Sequence, residues 1–446
     1  MFRALGKTCL AMALFAALSP LARATMTDAA PPAPEPGGTA AVRAGAPERI
    51  TEYRLPETLH REAHFLSRLR FASRLFGVGY SLFILWLILR TGWSARFRSF
   101  AESASRFRPL QALLLTGCLA LTYAVLSLPL DVFDEVVLKR YGISVQSWGS
   151  WMGDWAKVVA LVTLLGSLVV WILYALIRVS PRRWWLGFWA ITVPLAVVLV
   201  FLHPLIIDPL FFRFEPLASK APQLVPELQR VARRAGWEVP ASRMFWMEAS
   251  VKSVVPNAYV TGVGSSKRIV VWDTTLAQET TDGIVTVFGH ELGHYVLGHV
   301  ARALVFFFAA SLAVLYAVQR AAVGLLARRG EAWRLSGIGD WASLPALLLL
   351  AGALGLPVAV LGNAFSRYQE NQADIYSLEV THGILADPGQ AAAASFQKFG
   401  EKVFVDPDPN PLYVLLFYDH PTVADRIRLF ATYDPWSKGR EPRFVK

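Results

Sequence analysis

Six apolar runs punctuate the chain, at roughly 71–89, 110–130, 156–177, 184–206, 303–324 and 343–365. Each is close to the ~20 residues a helix needs to cross the hydrocarbon core, so the pattern predicts six transmembrane helices. Two long polar stretches contain no further spanning run: about 207–302, between the fourth and fifth, and 366–446, after the sixth. Within the first, residues 223–235 place Leu224, Leu228 and Val231 at helical spacing. Residues 256–262 and 268–273 are short β-rich runs joined by Gly264-Ser265-Ser266-Lys267, a hairpin signal. A helix then begins near Thr281, with Thr281 or Asp282 able to cap it. Its residues Ile284, Val285, Val287 and Phe288 make it largely apolar, as in a helix buried between a sheet and other helices.

Composition agrees with a membrane protein, since 54% of the residues are hydrophobic and only 17% charged. The two cysteines, Cys9 and Cys118, lie in apolar stretches and offer neither a disulfide framework nor a cysteine metal site, so any metal must be held by histidines and carboxylates. Residues 1–24 read as a signal peptide, or a signal anchor: Arg3 and Lys7 precede a short apolar core, and Ala22-Arg23-Ala24 offers a cleavage site. Residues 25–49, rich in Ala, Pro and Gly, read as a linker.

The net charge of +11 is informative through its location. Eleven arginines occupy the loops after the first, third and fifth spans: Arg90, Arg96, Arg98, Arg106 and Arg108; Arg178, Arg182 and Arg183; Arg328, Arg329 and Arg334. The loop at 131–155 opposes four acids, Asp131, Asp134, Glu135 and Asp154, to Lys139 and Arg140. Positive loops stay cytoplasmic, so both long polar stretches are expected outside, in the periplasm if the membrane is a bacterial inner one. The alternative is a cytoplasmic site. Charge confined to such loops is not a nucleic-acid footprint.

The candidate chemistry lies on the helix after Thr281, as His290-Glu291-Leu292-Gly293-His294. Histidines at i and i+4 share a helical face and can converge on one Zn²⁺. Glu291, about a quarter turn away, suits the general base: zinc acidifies water, and the carboxylate takes its proton and passes it to the leaving amine. A third ligand must leave one position for water. His299 stands one place out of the metzincin frame, which would want His at 300, and suits a supporting or membrane-interface group better than a ligand. After the last span, Glu370 and Asp374 share a helical face. Either Glu370 ligates zinc with Asp374 backing a zinc-bound imidazole, or both are solvated carboxylates.

The chain resembles the CAAX prenyl protease type 1 family, the a-factor-converting integral-membrane zinc endopeptidases of the gluzincin type, from about Tyr53 to Phe430. The resemblance rests on Lys139-Arg140-Tyr141-Gly142-Ile143-Ser144, Pro209 to Leu217, Asn257-Ala258-Tyr259-Val260-Thr261-Gly262 and Lys267-Arg268-Ile269-Val270. It continues in the histidine motif through Gly298-His299, in Ser366-Arg367 to Ala373-Asp374, and in His420-Pro421 with Arg426. It implies one zinc per chain with Glu370 as third ligand. It sets Asn257 and Tyr259 on a substrate-binding strand, His420 as donor to the oxyanion, and Arg426 in support of the cleft. It also implies a chamber ringed by membrane helices that admits extended or lipidated peptides. Eukaryotic members face the cytosol, and the family's usual first span is replaced here by the signal segment.

The expected fold is thus an α-helical multi-pass membrane protein with a zincin-like α+β catalytic domain formed by a long inter-helix loop and the C-terminal segment. Its segments are 1–24 signal, 25–70 linker and pre-membrane segment, 71–206 four spans, 207–302 first catalytic part, 303–365 two spans, and 366–446 second catalytic part. The expected activity is hydrolysis of peptide bonds in peptide or protein substrates, lipidated or membrane-embedded ones included. The alternatives are a quality-control protease of membrane proteins and, outside enzymes, an assembly protein with a structural zinc; Glu291 argues against the last, because a structural site needs no base.

Overall fold

The computed structural model describes residues 49–262 and 267–445. The expected signal at 1–24, the linker up to residue 48 and the Gly264-Ser265-Ser266 turn lie outside the described residues. In chain order the main elements begin with α1 (Glu57–Arg90), α2 (Trp93–Ala104), α3 (Arg108–Arg140), α4 (Trp148–Val179) and α5 (Trp184–Leu202). The first polar stretch forms β1 (Phe214–Pro216), α6 (Leu224–Arg234), β2 (Met244–Met247), β3 (Ala258–Thr261), β4 (Arg268–Trp272) and α7 (Thr281–Val296). Then come α8 (His299–Arg329), α9 (Leu344–Thr381), α10 (Pro388–Lys402), α11 (Pro411–Phe417) and α12 (Val423–Thr432).

All six apolar runs are helical, but the fourth is not one straight span. Among the described residues five helices are long and apolar enough to cross a membrane, and α5 with residues 203–210, bent by 48°, makes a sixth if the pair counts as one span. Pro204 explains the break: it lacks an N–H and its ring crowds the carbonyl four residues back, and a π-helical turn, His203–Ile207, follows. The long helices outrun the bilayer. At 31 to 38 residues they reach about 46–57 Å against a hydrocarbon core of ~30 Å. The acidic loop expected at 131–155 is corrected accordingly: helix continues to Arg140 and resumes at Trp148, so Asp131, Asp134 and Glu135 sit on α3 itself.

The membrane helices close into a ring in which α1 packs on α3, α3 on α4, α4 on α5, α5 on α8, α8 on α9 and α9 on α1. One end is plugged by a cluster that includes Ile88, Leu119, Tyr174, Ile177, Trp184, Val318 and Trp341. Beyond the plug the filling stops. α4 buries nothing before Gly166, α8 nothing between Ala303 and Leu315, and α9 nothing between Gly352 and Ser366.

The polar domain is built on a four-stranded sheet of order β1-β2-β4-β3, with β2 and β4 parallel and the outer pairs antiparallel. The anticipated hairpin strands are β3 and β4, whereas β1 and β2, of three and four residues, are too short to show an alternating pattern. One sheet face packs Val260, Ile269 and Val271 against Leu228 and Val231 of α6 and against Val285, Phe288 and Leu292 of α7. The α7 cap is Thr280, whose extended backbone and Oγ1, accepting from Gly283 N–H at 3.1 Å, fit the N-cap role better than Thr281 or Asp282, which are already helical.

Candidate metal centre and peptide cleft

α7 and α9 approach unusually closely because glycine faces small residues. A Cβ on Gly293 would stand 3.1 Å from the Ala373 Cα, and one on Gly289 would stand 3.0 Å from the Ser377 Oγ. Those contacts recur at i and i+4 on both helices, so the stripe Gly289/Gly293 lies on the stripe Ala373/Ser377. His290 and His294 are thereby brought against Glu370 and Asp374, all four buried. Neither stripe was singled out from the sequence, although its i, i+4 spacing is visible there.

The donor atoms of His290, His294 and Glu370 lie within 4.8 Å of one another. His290 Nε2 is 3.1 Å from His294 Nε2 and 3.2 Å from Glu370 Oε2, and His294 Nε2 is 3.3 Å from Glu370 Oε1. Ligands about 2.0–2.1 Å from a tetrahedral zinc stand about 3.3 Å apart. Glu370 Oε2 is buried and makes no hydrogen bond among the described residues, because its 3.2 Å approach to His290 is misaligned for one. An orphaned carboxylate oxygen beside an imidazole nitrogen, its partner oxygen beside a second, suits a cation. Charge preference agrees: burial disfavours an ionised His290, yet the hydrogen bond to Asp374 and the charges of Asp374 and Glu370 outweigh it and push the imidazole up to about 9. Burial pushes His294 down.

The two histidines are backed differently. His290 Nδ1 donates to Asp374 Oδ1 at 2.8 Å, and Arg426, from α12, clamps Asp374 through Nε at 2.9 Å from Oδ2. Arg426 in turn lies over the Phe396 ring. His294 Nδ1 meets His299 Nδ1 at 3.0 Å, His299 Nε2 lies 3.2 Å from Gln372 Oε1, and Gln372 Nε2 donates to Tyr368 Oη at 3.2 Å. His299 is fully buried at the start of α8. Gln372 was not anticipated; it lies between Glu370 and Asp374 in sequence and only the packing of α8 on α9 reveals its partner.

Glu291 points elsewhere, with Oε2 3.4 Å from the Val260 N–H. β3 is an edge strand, and Val260 directly opposes Ile269 of β4, so the N–H that meets Glu291 belongs to β3's other side. His420 Nε2 stands 3.2 Å from Glu370 Oε1 while Nδ1 is held by Asp419 at 2.8 Å. Asn257, just before β3, is exposed, and its backbone carbonyl is anchored by the Trp272 N–H and Thr275 Oγ1. The Tyr259 ring lies on the sheet face away from α7, among Met247, Phe212 and Trp272. Alternation along the strand sends Val260 and Tyr259 to opposite faces.

Comparison with known proteins bears on the whole chain. Residues 218–432 match Peptidase family M48, and residues 40–213 match the CAAX prenyl protease N-terminal region of five membrane helices. A metalloprotease of Bacillus subtilis, YhfN, is 35% identical over 79% of this chain and 80% of its own length. The chain belongs to the CAAX prenyl protease type 1 family of M48 peptidases. A CAAX prenyl protease 1 homolog of Arabidopsis thaliana is 26% identical over 68% of this chain and 69% of its own. The crystal structure of S. mikatae Ste24p superposes with a TM-score of 0.66 at 22% identity, covering 85% of this chain and 92% of that one, and supports the fold. As an M48 peptidase of this family, the protein is a membrane-embedded, metal-dependent endopeptidase acting on peptide or protein substrates. An assembly protein with a structural metal is set aside.

Proposed function

We propose that this protease is a zinc endopeptidase whose cleft opens outside the cytoplasmic membrane of a bacterium and accepts extended, membrane-tethered or unfolded polypeptides. The observation that carries the reading is Glu291 at the free edge of β3, beside the His290, His294 and Glu370 cluster. A peptide adding to β3 as a further strand would bring its backbone past that carboxylate. His290, His294 and Glu370 would hold the zinc, which would supply Lewis acidity toward a scissile carbonyl and water. Glu291 takes the proton of the attacking water and returns it to the leaving amine. His420, oriented by Asp419, donates from Nε2 to the carbonyl oxygen as it gains charge. Asp374, clamped by Arg426, fixes the ring of His290, and Asn257 stands at the start of the substrate-pairing edge.

The neutral relay from His294 through His299 and Gln372 gives a graded expectation. His299→Ala should weaken zinc affinity about 10- to 100-fold, read by competition with a chromogenic chelator, and His299→Asn should recover part of it. Unchanged chelator competition in His299→Ala would remove His299 from the metal's support.

Orientation decides between substrate classes. Prenylated CAAX peptides are cytosolic, whereas an outward cleft suits clipping of misfolded or membrane-bound proteins during quality control. The eleven arginines of the alternate loops support the outward placement. A reporter enzyme active only after export, fused after Lys446, should be active, and the same reporter fused near Arg329 should be silent. The reverse pattern would place the cleft in the cytoplasm and make CAAX-type processing the better reading.

A further inference from the structure

The outer face of α8 carries an exposed arginine near the end of its apolar run. Arg320 falls inside the apolar run 303–324 and is exposed. At its level the ring interior is packed by Leu315, Val318 and Ala322 of the same helix, so the exposed side faces outward. Among the described residues Arg320, Arg328 and Arg329 make no side-chain hydrogen bond or ion pair, and Glu331, just beyond the helix, pairs with none of them. An unpaired guanidinium on the bilayer side of a spanning helix is costly unless it reaches an anion.

The surroundings describe that anion. Arg320, Ala321, Gly324, Leu325, Arg328 and Arg329 surround a shallow, open notch on the outer face of α8. Gly324 forms its floor: a Cβ added there would meet nothing within 4 Å, so the notch is open. Arg320 and Arg328 stand on one stripe two turns apart, about 12 Å along the axis, and long arginine side chains bend toward the interface. One turn toward the other end of α8, Tyr316 packs edge-on against Trp185 of α5 at 5.2 Å, an aromatic pair of the kind that settles at headgroup level. Trp184 reaches Gln319, so Arg183, one residue before it, starts at the same height.

We infer that this notch is a binding site for the headgroup of an anionic phospholipid, its phosphate gripped by Arg320 and Arg328 over Gly324. Guanidinium groups match phosphate oxygens in pairs, and the apolar residues beside the notch suit the lipid's glycerol and upper acyl chain. The site is independent of the cleft and of which residues act there; it rests on the chain being embedded in a membrane.

The test uses the full-length protein in neutral detergent, titrated with phosphatidylglycerol or phosphatidylcholine, with retained lipid counted by native mass spectrometry. The wild type should retain phosphatidylglycerol over phosphatidylcholine. Arg320→Gln with Arg328→Gln should reduce that retention about tenfold. Gly324→Leu, which leaves the charge unchanged and fills the notch, should reduce it comparably. Peptidase activity of both variants should stay at the wild-type level, which certifies their fold. Equal retention of the two lipids, or variants that retain phosphatidylglycerol like the wild type, would overturn the inference. Displacement by the same concentration of inorganic phosphate would also overturn it, in favour of a free anion.

Discussion

Glu291→Gln should keep about one zinc per chain and still bind peptide, yet lose cleavage by at least ~10². The amide is isosteric with the carboxylate and can hold the same place near the Val260 N–H, 3.4 Å from Oε2 in the wild type. What it cannot do is accept a proton from water. Loss in kcat with little change in KM is the expected signature, because the edge of β3 that would receive the peptide is untouched. Cleavage near the wild-type rate would remove Glu291 from the role of base, whatever the metal content.

Glu370→Ala should lose the metal. Two imidazoles alone leave the site one protein ligand short, and the variant also deletes the buried oxygen that lacks a hydrogen-bond partner. Zinc content after brief dialysis against a chelator should fall from about one per chain to a small residue, and His294→Ala should behave alike. Asp374→Asn is the informative contrast. It retains all three ligands and disturbs only the bond to His290 Nδ1 and the grip of Arg426, so affinity should drop by about 10- to 100-fold. Full zinc occupancy in Glu370→Ala would sink the ligand assignment.

Much of this molecule was legible in one dimension because its largest elements obey short-range rules. A spanning helix satisfies its own backbone, so twenty apolar residues announce it without reference to any neighbour. The histidine motif is equally local, since i and i+4 on one helix share a face. The resemblance of separate segments added what spacing left open at Glu370, for which a ligand and a solvated carboxylate were equally consistent with the residues.

The rest depended on contacts between distant parts of the chain. Gly289 and Gly293 carry no signal of their own, but against Ala373 and Ser377 they set the distance between α7 and α9, and with it the separation of the metal-facing atoms. His299 and Gln372 meet across 73 residues, and Arg426 and Asp374 across 52, so neither pair is deducible from periodicity. Tyr259 illustrates the converse: it lies in the right segment, but strand alternation and the covering helix decide which face its ring takes. The bend at Pro204 belongs between the two cases, because the proline is plain in the sequence while its 48° angle is seen only in the structure. By itself the sequence determined that this chain enters a membrane and carries a histidine-glutamate metal motif, since local hydrogen bonding and helical geometry suffice for both. Only the tertiary structure decided that the helices close into a ring and that the third carboxylate, its supports and the strand edge meet, because those depend on which surfaces pack together.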